Sequence, residues 1–227
     1  IFFQLLTRIL IVNGVLGLTA MMTQQPPSLY LYNITLSLSF VIAQFIVLGL
    51  FFTLHKFYIA SVAQRQFHIA VHQYVKLIIL TVIVSMVLYY SFNTLMHTLP
   101  HPLGYVKTQA QRRLEGLFIH PSAWIFTFIS VVLLGPLIDE LLFRHLLIHE
   151  LGKKFNLLVM MIASVLIETV VQVYDLISIL ETIPYIIISI GAVIVYRKSG
   201  ENLAASYLYH STVQFIIFII TIVEKLF

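Results

Sequence analysis

The chain has 227 residues, of which 60% are hydrophobic and only 10% charged, with a net charge of +4 and no cysteine. A soluble domain carries about 25% charged residues, so the composition excludes an ordinary water-soluble globule. The absence of cysteine removes disulfides, thiol catalysis and thiolate metal sites, and the charge is too small and too scattered for a nucleic-acid surface. Apolar stretches of about twenty residues recur without the period-two alternation of barrel strands. They predict an all-α, polytopic membrane helical bundle with about seven transmembrane helices.

Ile1 opens the sequence inside an apolar run rather than on a methionine, so the natural start is expected upstream. The first span covers residues 1–22, interrupted by Arg8, Asn13, Gly14 and Gly17. Thr23-Gln24-Gln25-Pro26-Pro27-Ser28 then predicts a turn. A second span covers residues 29–54. From His55 to Gln73, the residues Lys56, Arg65, His68 and His72 mix with aromatic and aliphatic ones, which suits a segment lying in the interface. The third span is residues 74–99. Residues 100–121 form the longest non-spanning segment, carrying Lys107, Arg112, Arg113 and Glu115, and are expected to hold a short surface helix or a partial lid.

The fourth span runs from Ser122 to about Glu150 and is closed by Gly152-Lys153-Lys154. A fifth covers residues 155–174 and a sixth 183–196, the latter ended by Arg197-Lys198-Ser199-Gly200. The seventh runs from Asn202 to the end. Lys56, Arg65, Lys153, Lys154, Arg197 and Lys198 collect on one side; Lys107, Arg112, Arg113 and Lys225, with the acidic loop of Asp175 and Glu181, lie on the other. The bias places the loops after spans two, four and six in the cytoplasm. Residues 1–120 are therefore read as N-terminal transmembrane helices with interfacial segments, and residues 121–227 as the core that carries the chemistry.

That chemistry centres on Gly135-Pro136-Leu137-Ile138-Asp139-Glu140-Leu141-Leu142-Phe143-Arg144. An ionised group at bilayer depth costs roughly 2.5–3.5 kcal/mol on insertion scales, and here three stand within six residues. On a helix Glu140 and Arg144 are i and i+4 and form an ion pair; Asp139, about 100° round the axis, faces elsewhere. A pair that merely locks two helices explains Glu140 and Arg144 but not Asp139. Gly135-Pro136 removes a backbone donor and predicts a kink. Two further helices carry polar stripes at four-residue spacing: Ser164, Glu168 and Gln172, with Asp175 at the end, and Asn202, Ser206, His210 and Gln214. The serines and asparagine read as interhelical hydrogen-bonding groups. Glu168 and His210, titratable and deep in apolar runs, predict a shared internal cavity.

His145 and His149 have a spacing that can hold a metal through two imidazoles, but no third ligand accompanies them, and they read as a solvated interfacial pair. No metal and no cofactor is expected. His55, His68, His72, His97, His101 and His120 lie near span ends, and Trp124 and the tyrosines suit interfacial anchoring.

The motifs along 122–227 resemble those of the CPBP (Abi) family, which groups type II CAAX prenyl proteases with bacterial bacteriocin-processing and self-immunity membrane proteins. The family's Glu-Glu-x-x-x-Arg is matched by Asp139-Glu140-Leu141-Leu142-Phe143-Arg144, its Phe-x-x-x-His by Ile167 to Val171, and its His-x-x-x-Asn by His210 to Gln214. The resemblance implies a CAAX-protease-like helical core and an intramembrane endopeptidase that uses a carboxylate to activate water. By position, Asp139 would be the base, Glu140 and Arg144 its brace, and His210 with Gln214 the oxyanion pair. The chain departs from the pattern in having Asp139 for glutamate, Val171 for histidine and Gln214 for asparagine. Glu168, three residues before Val171, could partly replace the lost imidazole.

Three functions are compatible with these residues. The first is a CPBP-fold protein with a degraded site that binds or scaffolds a membrane peptide or partner protein. The second is an active glutamate/aspartate-dependent intramembrane endopeptidase. The third is a small transporter or channel using Asp139, Glu168 and His210, against which the lack of an internal repeat counts. In each case the partners are membrane lipids and a membrane peptide or protein, not nucleic acid. The expected location is a cell membrane, multi-pass and bacterial.

Overall fold

The computed structural model describes residues 2–54, 59–100, 103–173, 175 and 178–227. Among them there is no strand. The helices are α1 (Phe2–Thr23), α2 (Leu29–Leu54), α3 (Ile59–Gln73), α4 (Val75–Met96), α5 (Gln109–Gly116), α6 (Pro121–Leu151), α7 (Leu157–Gln172), α8 (Ile183–Lys198) and α9 (Leu203–Leu226). Among the described residues, six helical stretches, Gln4–Thr23, Leu29–Thr53, Val75–Met96, Pro121–Leu151, Ile179–Lys198 and Leu203–Leu226, are long and apolar enough to cross a membrane. The protein is an all-α, multi-pass membrane protein.

The expected fifth span is the exception. α7 has 16 residues, about 24 Å at 1.5 Å each, short of a hydrocarbon core about 30 Å thick. Its start is set by Asn156, whose side chain accepts from the N–H of Leu158 at 2.9 Å and of Val159 at 3.3 Å, which satisfies two of the amides that a helix start leaves open. α8 is preceded by a 3-10 turn, Ile179–Thr182, closed by a reciprocal capping box between Ser178 and Glu181. It ends at Lys198, and Gly200, φ +71°, follows as the left-handed residue common after a helix.

The chain forms two compact units. The first comprises Ile1–Ile59, Arg113–Ile138 and Phe215–Phe227. Here α1 packs along α2 and leaves most of its apolar surface exposed. Leu117, Phe118, Val132 and Phe218 form its core, with Trp124 and Phe128 against them. Asn33 donates to the Gly116 carbonyl at 2.9 Å and accepts from the His120 N–H at 3.1 Å.

The second unit comprises Ala60–Arg112 and Asp139–Gln214. α3 exposes Arg65, His68 and His72 together with Val62, Phe67 and Val71, and buries Ala70; His55 and Lys56 lie outside the described residues, as does His101. Ile148, Val193 and Tyr196 form a core with Met161, Val165 and Leu203. The segment before α5 is tied down by Ser178 donating to the Leu103 carbonyl (2.9 Å), Tyr105 to Asn93 (3.1 Å) and Gln111 to Tyr89 (3.0 Å). Burial pushes the Tyr105 phenol above its usual range, and the neighbouring Tyr185 and Glu181 add to the rise. Glu181, expected in an acidic loop, is fully buried and accepts the Gln109 N–H at 2.8 Å. The surface helix expected between residues 100 and 121 is thus α5.

Three helices of this unit meet at Gly191. A Cβ there would lie 2.1 Å from the Tyr209 hydroxyl and 2.7 Å from Ser85 Oγ, and Tyr209 itself donates to Ser85 at 2.7 Å. Gly191→Ala must therefore displace Tyr209, at about 1–3 kcal/mol. Thermal unfolding in detergent should fall by roughly 3–10 °C; a variant melting with the parent would mean that Tyr209 moves aside freely.

Candidate functional site

α6 is wound unevenly. A 3-10 turn at Pro121–Ala123 leads into α-helix, then a π-helical stretch at Ile129–Leu134, an α-helical turn at Gly135–Asp139 and a second π-helical stretch at Glu140–Leu151. The expected disturbance at Gly135-Pro136 is thus a change of winding on both sides of that pair. In the wider π turn each N–H reaches five residues back, a geometry frequent at functional sites. The second change falls between Asp139 and Glu140, the two acids of the motif.

Glu140 and Arg144 are fully buried, with Arg144 Nε 3.4 Å from Glu140 Oε2. The expected pair is part of a larger network. Arg144 Nη1 donates to Glu168 Oε2 at 2.8 Å and Nη2 donates to the Ser189 carbonyl at 3.1 Å. The Ser189 hydroxyl donates to the same Glu168 oxygen. On its other oxygen Glu140 accepts from His210 Nδ1 at 3.1 Å. With Nδ1 assigned as the protonated nitrogen by that bond, the neutral ring offers a lone pair at Nε2. Glu168 is 1% exposed and His210 0%.

Asp139 is half-buried. One ligand atom from each of Asp139, Glu168 and His210 lies within 4.8 Å of the others. His210 Nε2 and Glu168 Oε1 are buried and have no hydrogen-bond partner. Asp139, Glu140, Arg144, Glu168 and His210, marked in the sequence by the motif and the polar stripes, therefore come together in one cluster. Gln214, half-buried one turn beyond His210, joins none of these hydrogen bonds. On α7 the buried polar positions are Ser164, Glu168 and Thr169; Glu168, rather than Val171, carries that helix's contact with the network. Ser189 was not foreseen, because a single serine in the apolar run of α8 has no spacing to mark it. His149 is bonded to Glu201 at 2.9 Å and is more than a third exposed, in keeping with a solvated pair.

Residues 121–216 match the family model for type II CAAX prenyl endopeptidase Rce1-like proteins. This region belongs to the CAAX-protease family. The match takes in all six candidate residues, from Asp139 to Gln214, and makes the chain a CAAX-protease-like membrane protein. No curated protein and no solved structure matches it.

In the CAAX-protease region, Arg144 pairs with two carboxylates, and its removal leaves both without a cation. Arg144→Ala should cost about 3–5 kcal/mol, read as lost yield and earlier thermal unfolding. Glu140→Gln with Arg144→Met leaves Glu168 uncompensated and should recover only part of the loss. Adding Glu168→Gln should recover most of the rest. Equal stability of Arg144→Ala and the parent would show the guanidinium to be solvated.

Proposed function

We propose that the CAAX-protease region is a hydrolytic site for a membrane-tethered peptide, with the attacking water held among Asp139, Glu168 and His210. The observation that carries this reading is the pair of buried, unpartnered atoms, His210 Nε2 and Glu168 Oε1, beside the Asp139 carboxylate. Leaving a buried polar atom unsatisfied costs about 1–3 kcal/mol, so a water or a substrate group is the natural partner for these two atoms. Asp139 is half-buried, whereas Glu168 and His210 are fully enclosed.

As water adds to the peptide carbonyl, the carboxylate of Asp139 takes its proton, and the new C–O bond leaves an oxyanion. Collapse of that adduct breaks the C–N bond, and the proton passes to the departing amine. Glu140 holds the His210 ring in place, so Nε2 accepts from the water. For Nε2 to donate to the oxyanion instead, the ring must be the cation. The family name suggests prenylated C-terminal peptides as the substrate class.

Two observations favour a site that holds a peptide without cutting it. Glu168 Oε2 is already engaged by Arg144 and Ser189, and Asp139 is one methylene shorter than the family's glutamate, a misplacement that can cost about a hundredfold. The deciding comparison is the purified parent against Asp139→Ala on a panel of membrane-tethered peptides, prenylated ones included. Cleavage by the parent should fall about 10²–10⁴-fold in the variant. Peptide binding without cleavage in both proteins would establish the degraded, scaffolding site.

A further inference from the structure

We infer that the cleft between α1 and α2 binds the headgroup of one phospholipid, with Arg8 on the phosphate and Gln44 accepting from a headgroup hydroxyl. Lipid in this cleft is independent of whether peptides are cut beside Asp139. The cleft is lined by Gln4, Arg8, Phe40, Ala43 and Gln44 and measures about 90 Å³, space for a phosphate-sized group rather than a single water. Arg8 is a permanent cation within an apolar helix, and no aspartate or glutamate precedes Glu115 in the chain. The acids of this compact unit, Glu115 and Glu224, belong to its other end. Glu115 adjoins Gly116, whose carbonyl Asn33 bonds, about 16 Å along α2 from Gln44; Glu224 follows Phe218, which packs on Phe118 at that same end. A cation placed so takes its counter-ion from outside the chain. Depth agrees. With the turn after Thr23 at one border of a hydrocarbon core about 30 Å thick, Arg8 lies about 22 Å in and about 8 Å from the far border, a distance that a snorkelling arginine largely spans. Leu5, Ile9 and Phe45 nearby are exposed, an apolar surface for the acyl chains.

The two polar side chains are set for such a ligand. Arg8 Nε donates to the Gln4 carbonyl at 3.2 Å, and the guanidinium lies 4.2 Å over the Phe40 ring. Backbone and ring together fix the plane of the fork, which matches phosphate oxygens two at a time. Gln44 is 8% exposed. Its Nε2 donates to the Ser130 carbonyl at 3.0 Å; a carbonyl only accepts, so this bond assigns the amide and leaves Oε1 as an acceptor. Oε1 is buried and has no partner, so it calls for an O–H or N–H donor from the occupant. A phosphodiester has no proton to give, and the donor must come from the group beyond it. A glycerol headgroup carries that hydroxyl, and its single negative charge balances Arg8. Phosphatidylcholine has no such donor, and phosphatidylethanolamine no net charge.

The full chain, purified in detergent and stripped of lipid, is titrated separately with phosphatidylglycerol, phosphatidylmethanol (the same charge without the hydroxyl), phosphatidylcholine and inorganic phosphate. Bound lipid is counted by native mass spectrometry, with thermal unfolding alongside. The parent should hold one phosphatidylglycerol, at least ~10-fold more tightly than phosphatidylcholine and about 3–10-fold more tightly than phosphatidylmethanol. Arg8→Gln, at a half-buried residue, should melt like the lipid-free parent and lose the preference over phosphatidylcholine. Gln44→Leu should keep that preference and lose the one over phosphatidylmethanol; if it does not fold without its bond to Ser130, the Arg8 variant decides. Lys153→Gln, at an exposed basic residue, should bind like the parent. No bound lipid in the folded parent overturns the inference, as does equal binding of phosphatidylglycerol and phosphatidylmethanol by the parent. So does a preference that survives Arg8→Gln, or one lost equally in Lys153→Gln, which would mark a general attraction to anionic lipid. Inorganic phosphate that raises the melting temperature as far as phosphatidylglycerol does would make the occupant a soluble anion and overturn it too.

Discussion

A guanidinium held out of water between two carboxylates organises this structure. Arg144 reaches Glu140 within its own helix, Glu168 on α7 and the Ser189 carbonyl on α8; Glu140 passes the connection to His210 on α9. One cation thus sets the relative position of four helices. The penalty for burying it is several kcal/mol, recovered only when geometry and partners are good. The planar fork of arginine suits that demand, because its donors diverge toward different helices while sharing one charge; a lysine would offer a point charge without the directions.

Around that network the helices come close because their contact faces carry small or hydroxylated residues. Ser164 donates to the Phe143 carbonyl at 3.2 Å, Ser206 to the Ala192 carbonyl at 3.0 Å, and Gly191 leaves space for Tyr209. Each interhelical hydrogen bond in a membrane is worth only about 0.6 kcal/mol on average. Their contribution is to register more than to stability. A serine that must find one particular carbonyl fixes both the rotation and the height of its helix, and so the direction in which Glu168 or His210 points.

Much of this arrangement was legible in the sequence, since helical periodicity translates directly into faces. The four-residue stripes ending at Gln172 and Gln214 identified the buried faces of α7 and α9, and the Asp-Glu-x-x-x-Arg run identified the helix they serve. What could not be read depends on partners distant along the chain. Glu181 looked like a loop acid, yet its partner is the backbone of Gln109, 72 residues away. The choice between Val171 and Glu168 as the residue facing the network depends on the rotation of α7, which counting from a motif cannot supply. The length of α7 was overread because its apolar composition continues past the residue where the helix stops.

The π-helical winding of Glu140–Leu151 has a consequence for how this helix can vary. A π turn accommodates one more residue than an α turn for the same stretch of backbone, so α6 already holds the equivalent of an insertion next to its acidic pair. Loss of one residue between Glu140 and Arg144 would let that stretch relax toward ordinary α-helix and preserve the span, while rotating Arg144 and everything beyond it relative to Asp139 and Glu140. The membrane-spanning scaffold and the alignment of the arginine with the acids are therefore separable properties of a single helix, and a length change invisible in hydropathy would be enough to divide them.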